Sequence, residues 1–403
     1  MDFNDTAEEA TFREQARAWL ADNVPTESEL GGLNYVERSK LWQKRKYDAG
    51  MACIRWPKQY GGRDASAIEQ VIWNQEEARF KNLPQGVFGI GQGMAAPTLM
   101  TWADDASKAE LLPKLASGEH IWCQLFSEPA AGSDLAALRT KAERDGDDWV
   151  VNGQKIWTSG AHYCDYGILV VRTDPTVAKH KGLSYFYLDM KSPGIEIRPI
   201  KQISGDSNFN EVYFTDVRIP DSQRLGAVGQ GWQVALTTLM SERASIGSGG
   251  SAVGFDSVFK LAQRVNIDDK PAIEDAAVRA KLATWYCQES GLRFTGYRSM
   301  TALSKGATPG PENSIGKLVG APKTQDMASF AIDLMEMSGA IWDPEFSAEA
   351  GMFQAAYMGI PGLRIAGGTD EIMANIIAER VLGMPQEPRM DKGIPFNEIP
   401  TGA

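Results

Sequence analysis

The chain has little of what a metal centre or a disulfide framework is built from. Its four cysteines, Cys53, Cys123, Cys164 and Cys287, lie far apart and form no Cys-x-x-Cys pair. Its three histidines, His120, His162 and His180, show no helical ligand spacing. Both scarcities argue against a metal site and for a reducing, cytoplasmic compartment. Positive charge is also short: 41 Lys and Arg stand against 52 Asp and Glu, a net charge of -11. That balance disfavours nucleic acid or an anionic membrane as partner, while leaving room for a local basic pocket around a phosphorylated ligand. No stretch approaches the ~20 apolar residues of a membrane span, and the acidic N-terminus carries no apolar signal core, so a soluble protein is expected. There is no tandem repeat and no low-complexity tract. What is there is 403 residues of ordinary hydrophobic content, 43%, too long for one core and enough for two or three domains.

Three zones differ in hydrophobic period. In residues 1–118, Thr6 and Glu9 form a capping-box pattern, and Phe12, Ala16 and Trp19 recur on one helical face. A loop at Trp56-Pro57-Lys58-Gln59-Tyr60-Gly61-Gly62 separates this helix from a second helical region over 66–80. Residues 119–226 read as strands: Gly167-Ile168-Leu169-Val170-Val171-Arg172, Leu183-Ser184-Tyr185-Phe186-Tyr187-Leu188 and Glu211-Val212-Tyr213-Phe214. Asn152-Gly153, flanked by Trp149-Val150-Val151 and Ile156-Trp157, is expected to be the turn of a hairpin. The predicted fold here is a β barrel or sandwich. Residues 227–403 return to helical patterning, with Trp232, Leu236, Leu239, Arg243 and Ile246 along one face. Further helices are predicted over 276–299, 324–337 and 369–382.

Three blocks carry candidate chemistry. The first is Trp122-Cys123-Gln124-Leu125-Phe126-Ser127-Glu128-Pro129-Ala130-Ala131-Gly132-Ser133-Asp134. Pro129 stiffens its turn, and Gly132 lets a backbone N–H approach a ligand closely. The second, Lys155-Ile156-Trp157-Thr158-Ser159-Gly160, ends a strand with a large aromatic and two hydroxyls. The third, Ala366-Gly367-Gly368-Thr369-Asp370-Glu371-Ile372, reads as a glycine turn into a helix N-terminus, where free N–H groups and the dipole attract anions. Singly these are an ordinary turn, a core tryptophan and a plain helix cap. Their order distinguishes them.

Together with Glu379-Arg380-Val381-Leu382-Gly383, the ordered blocks resemble the acyl-CoA dehydrogenase family of flavoproteins over nearly the whole chain. The resemblance implies an N-terminal helical domain, a middle β-barrel domain and a C-terminal four-helix-bundle domain. It implies FAD as cofactor, carried by Gln124, Phe126, Ser127, Gly132, Ser133, Trp157, Thr158, Ser159, Thr369 and Glu371. Gln124 replaces an aromatic residue frequent in the family. Aligned through Trp157, Ser159 takes the hydroxyl role toward flavin N5, with Thr158 second. The thioester substrate is expected to touch Ser133, Arg243 and Gly367, whose backbone N–H is the expected donor to the thioester carbonyl.

One departure decides the mechanism. Well-known members carry a catalytic glutamate two residues before the threonine, and this chain has Gly367 there. The isovaleryl and long-chain branches place the base in an earlier Glu-Arg pair, which Glu242-Arg243 matches. Leu239, Glu242 and Ile246 share one helical face, so Glu242 is expected among apolar neighbours with a raised pKa, suited to a general base. The expected reaction is α-proton removal by Glu242 and β-hydride transfer to the flavin, giving a trans-2-enoyl-CoA. The small residues Gly247, Ser248, Gly249, Gly250, Ser251 and Ala252, together with Ala366-Gly367, point to a pocket for a bulky acyl group such as a sterol side chain. Two inter-subunit FAD motifs of the family are missing: an Arg-x-x-Phe-Gly loop has no counterpart, and Met335-Glu336-Met337-Ser338-Gly339 replaces a Gln-x-x-Gly-Gly type contact. A homo-oligomer or an α2β2 heterotetramer is therefore expected, with an electron-transfer flavoprotein as acceptor. A flavin lyase or desulfinase, and a non-catalytic FAD-binding subunit, stay open as alternatives.

Overall fold

The computed structural model describes residues 5–80, 83, 86–246, 253–304 and 310–400, with the side chains of 243–246, 300 and 303–304 excepted. It divides into two compact units. The first holds residues 1–201, 207–242 and 389–403; the second holds 202–206 and 243–388.

In the first unit, the helices α1 (Ala7–Asn23), α2 (Glu27–Leu30), α3 (Tyr35–Asp48), α4 (Ala67–Glu77), α5 (Ala96–Trp102) and α6 (Asp105–Ser117) come first. The predicted capping box opens α1, with Thr6 accepting from the Glu9 N–H and Glu9 accepting from the Thr6 N–H. The same device opens α2, α3 and α4. Phe12, Ala16 and Leu20 bury one stripe of α1 against Trp42, Ile72 and Trp73. Trp19, expected on that stripe, lies at its edge, stacked on Trp42 at 5.6 Å.

The strands follow: β1 (Trp122–Leu125), β2 (Lys141–Asp145), β3 (Asp148–Ser159), β4 (Tyr166–Arg172), β5 (Leu183–Asp189), β6 (Ile195–Ile200), β7 (Phe209–Pro220) and β8 (Arg224–Leu225). They form one mixed sheet in the order β6-β7-β3-β2-β4-β5-β8, with β1 beside β4 and parallel to it. The path ends on β6 and β8, and no pairing joins these among the described residues, so closure into a barrel is not seen. β4 and β5 are buried on both faces, as their unbroken apolar runs require. Ile168, Val170, Tyr185 and Tyr187 pack on one side with Leu99, Leu112, Leu115, Val234 and Ala235. Leu169, Val171, Phe186 and Leu188 pack on the other with Val151, Val212 and Phe214. Each such side chain contributes about 1.5–3 kcal/mol on burial.

The hairpin is displaced from its expected place. β3 runs straight through Asn152-Gly153, and the turn lies at Gly146, φ +64°, between β2 and β3. Gly153 instead forms a bulge against β7, where a Cβ would lie 2.5 Å from the Thr140 hydroxyl.

The first unit ends with most of α7 (Gly231–Ile246) and regains the chain at 389–400. The second unit is helical: α8 (Phe255–Arg264), α9 (Ala276–Ser304), α10 (Ser314–Leu334), α11 (Met352–Leu363) and α12 (Asp370–Arg380), with the two-residue strands β9 (Asn266–Ile267) and β10 (Lys270–Pro271). α10 packs against α8, α9, α11 and α12. Val258, Leu261, Leu282, Trp285, Met327, Ala331 and Phe353 form its core. Among the described residues no helix is long and apolar enough to cross a membrane, and no side-chain cluster has the makings of a metal site.

Candidate active site

The loop between β1 and β2 is fastened by a buried charge pair. Lys155 points inward from β3 and is fully buried. Its ammonium donates to the Phe126 carbonyl at 3.0 Å and to Glu128 at 2.8 Å. Glu128 also accepts from the backbone N–H groups of Arg139, 2.6 Å, and Thr140, 3.0 Å. Burial pushes the Glu128 carboxyl up, but Lys155 and these N–H groups outweigh it and hold it below its ordinary range. The Ser127 carbonyl accepts from the Ile156 N–H at 2.9 Å, so the first arm of the loop is tied to β3, and Glu128 ties the end of the second arm to the first. Phe126 is buried edge-on against Tyr185. Gly132, Ser133 and Asp134 stand exposed at the tip, and nothing lies within 4 Å of where a Gly132 Cβ would be.

The end of β3 is irregular where the second block falls. A register shift separates Lys155 from Thr158. Within it Trp157 adopts φ +60°, a left-handed conformation rare for an aromatic residue. The result is an indole 56% exposed, its ring edge-on to Phe209. Thr158 points the other way and is buried, and its hydroxyl is a buried polar atom with no hydrogen-bond partner. Its carbonyl accepts from Asn210 Nδ2 at 2.9 Å. Ser159 is half-buried. Strain retained to expose a large ring and an open glycine tip are what a flat heteroaromatic cofactor with a diphosphate needs. The residues present therefore fit FAD.

Glu242 is the candidate base of the same unit. The buried stripe of α7 is Val234, Ala235 and Thr238, and Leu236, expected on the apolar face, is exposed instead. Thr238 is buried because its hydroxyl meets those of Thr98, 2.8 Å, and Tyr185, 2.9 Å. Glu242, one turn beyond Thr238, thus follows the inward stripe. It is half-buried, and its Oε2 accepts from Gln124 Nε2 at 3.5 Å. Gln124, expected to face the cofactor, is the β1 residue that reaches the base. The Arg243 side chain and residues 247–252, expected to line the substrate pocket, lie outside the described residues.

The third block lies in the second unit. Gly367 and Gly368 adopt φ +66° and +97°. Thr369 caps α12 by accepting from the Ile372 N–H at 3.2 Å. Arg364 bonds Asp370 at 2.7 Å and Gln325 at 3.1 Å, and Lys317 donates to the Gly368 carbonyl. The Glu371 carboxyl is held below its usual range by its own backbone N–H and the Thr369 hydroxyl.

Sequence reasoning passed over Lys155, Glu128 and the Thr98–Thr238–Tyr185 hydroxyl chain. One signal was available: Lys155 sits at an inward position of an alternating strand, where an unpaired lysine is excluded.

Comparison with known proteins yields three family models in succession. These are the acyl-CoA dehydrogenase N-terminal domain at residues 6–119, its middle domain at 123–217 and its C-terminal domain at 229–382. The acyl-CoA dehydrogenase IpdE1 of Mycobacterium tuberculosis is 36% identical over 394 residues, covering 93% of this chain and 98% of its own. The crystal structure of the ChsE4-ChsE5 complex from the same organism matches with TM-score 0.79 at 27% identity, covering 96% of this chain and 100% of that one. The structure described as the Tcur3481-Tcur3483 steroid ACAD matches with TM-score 0.80 at 29% identity, with the same coverage.

Proposed function

The chain belongs to the acyl-CoA dehydrogenase family, and from that premise we propose that it oxidises a bulky acyl-CoA, such as a sterol side-chain thioester, to its trans-2-enoyl-CoA with Glu242 as the base. Members of the family are FAD-dependent oxidoreductases. Phe126, Ser127, Gly132, Ser133, Trp157, Thr158 and Ser159 would hold FAD in the first unit, and Thr369 and Glu371 in the second. When bound, FAD supplies the acceptor for the β-hydride.

The chain's own residues do the rest. Glu242 removes the α-proton, the weak acid of the thioester, and Gln124 Nε2 orients the carboxylate. The 3.5 Å contact between these two side chains is the observation that carries the reading. The Thr238 hydroxyl chain fixes the turn of α7 that presents Glu242. The Gly367 N–H is the proposed donor to the thioester carbonyl; a preorganised donor at a developing oxyanion contributes about 3–4 kcal/mol. Ser133 and Arg243 complete the substrate contacts. An electron-transfer flavoprotein would take the electrons onward. The names of the relatives support two finer readings: a steroid-derived acyl group, and assembly with an unlike subunit, since one solved relative is a ChsE4-ChsE5 complex. We place the boundaries of the three domains near residues 118 and 226.

The test is Glu242→Gln in protein that retains FAD. Anaerobic addition of a steroid-derived acyl-CoA should bleach the visible flavin band of the parent protein. The variant should bleach about 10²–10⁴-fold more slowly. Full turnover by the variant refutes the base, and preference for short straight-chain thioesters refutes the bulky substrate.

A further inference from the structure

Residues 389–400 lie beyond the last residue matched by the family models, 382, yet they belong to the compact unit that carries the β sheet. Their contacts converge on one place. Pro395 forms an isolated bridge with Ala178, and the Phe396 and Asn397 N–H groups donate to the carbonyls of Val177, 2.9 Å, and Pro175, 3.0 Å. The Phe396 ring lies 3.4 Å beneath the Arg172 guanidinium and 5.6 Å from that of Arg139. Arg172 is buried and spends its donors on the carbonyls of Ala136, 2.6 Å, Leu138, 3.1 Å, and Lys179, 3.1 Å. Lys179 pairs with Asp134 at 2.6 Å and also with Asp391, which Arg389 grips through both oxygens.

These contacts meet the 134–138 stretch, immediately after the exposed Gly132-Ser133 tip. The inner arm of that loop is held by Lys155 and Glu128. Its outer arm is held by Arg172 and Lys179, and both of these are backed by the C-terminal segment. Phe396 shields Arg172 from water, which strengthens the bonds Arg172 makes to carbonyls. Asp391 fixes the ammonium that Asp134 uses.

We propose that residues 389–400 are a positioning strap, which holds the outer arm of the 127–138 loop through Phe396–Arg172 and Asp391–Lys179 and thereby sets the affinity for FAD. The consequence for FAD rests on the placement of the cofactor at this loop; the strap itself does not.

The experiment uses full-length Phe396→Ala, Asp391→Asn and Phe396→Tyr. Amide exchange is read on the apoprotein and FAD affinity by titration of the same sample. In the first two variants, the Ala137 and Leu138 amides, bonded to the carbonyls of Asp134 and Leu135, should exchange about tenfold faster. The Arg139 and Thr140 amides, held by Glu128, should not change. FAD should bind about tenfold more weakly, and Phe396→Tyr should restore both values. Unchanged exchange at Ala137 and Leu138 overturns the strap. Faster exchange with unchanged FAD affinity upholds the strap and overturns the cofactor's placement. Should Phe396→Ala fail to fold, Asp391→Asn gives the same readouts.

Discussion

The 126–140 loop and the 366–371 turn are both proposed to meet FAD, and they are held in opposite ways. The loop is bolted from within by ionised groups that water does not reach: Lys155 is fully buried and the Glu128 side chain only 6% exposed. The turn is shaped by backbone: two glycines at positive φ, a threonine cap, and an Arg364–Asp370 pair in which the arginine is 42% exposed. A buried pair is an all-or-nothing device, because removing either partner strands the other charge. A chirality-based turn degrades in small steps. The loop should therefore fail cooperatively and the turn gradually.

Lys155→Met tests the first half of that contrast and should have the largest effect. It leaves Glu128 buried without its cation, a loss of about 3–5 kcal/mol, read by urea unfolding, with FAD binding abolished. The pH dependence has a fixed sign. Glu128 is held below its ordinary value of 4.5, so its contribution is present above that value and fades as pH falls through the lower folded one. In the variant this acid-side loss should vanish. A Lys155→Met protein with parental stability would mean that the loop has no such bolt.

The two halves can next be compared with one substitution. Gly368→Ala forces a Cβ onto a residue at φ +97° and within 2.5 Å of the Met373 methyl. It should lower stability by about 1–3 kcal/mol. Gly132→Ala meets nothing within 4 Å and should leave stability within about 0.5 kcal/mol, while weakening FAD binding if the Gly132 backbone faces the diphosphate. Equal stability losses at the two glycines would erase the distinction.

Thr238→Val extends the comparison to α7. It breaks both hydroxyl contacts at a fully buried site and should lower stability by about 1–2 kcal/mol. Because Thr238 lies one turn before Glu242, the pH profile of kcat should shift as well. A stability loss with an unchanged profile would confine Thr238 to packing.

What could be read in the sequence follows from what hydropathy can see. β4 and β5 were legible because both faces are apolar, and α12 because Thr369 is a recognisable cap. Asn152-Gly153 misled because the pair that permits a hairpin also permits a bulge, and Gly146 took the turn. The inward face of α7 was misread at Leu236 because Thr238 is buried by its hydrogen bonds rather than by apolarity. The pairing of Lys155 was hidden for the same reason: its inward strand position shows in the alternation, but burial of a cation is a property of its partner, and Glu128 lies 27 positions away.

One further effect should carry the opposite sign. Trp157 holds φ +60° with its ring mostly in solvent. A left-handed conformation disfavours an L residue by about 1–2 kcal/mol relative to glycine, and little packing offsets that here beyond the edge contact with Phe209. Trp157→Gly should therefore raise stability, by about 0.5–1 kcal/mol once glycine's greater unfolded-state entropy is counted. If the conformation is kept for a cofactor, the same change should weaken FAD binding and alter the fluorescence of the bound flavin. A gain in stability with FAD binding intact would make the exposed indole an accident of the bulge, and the cofactor face would then have to be sought away from the end of β3.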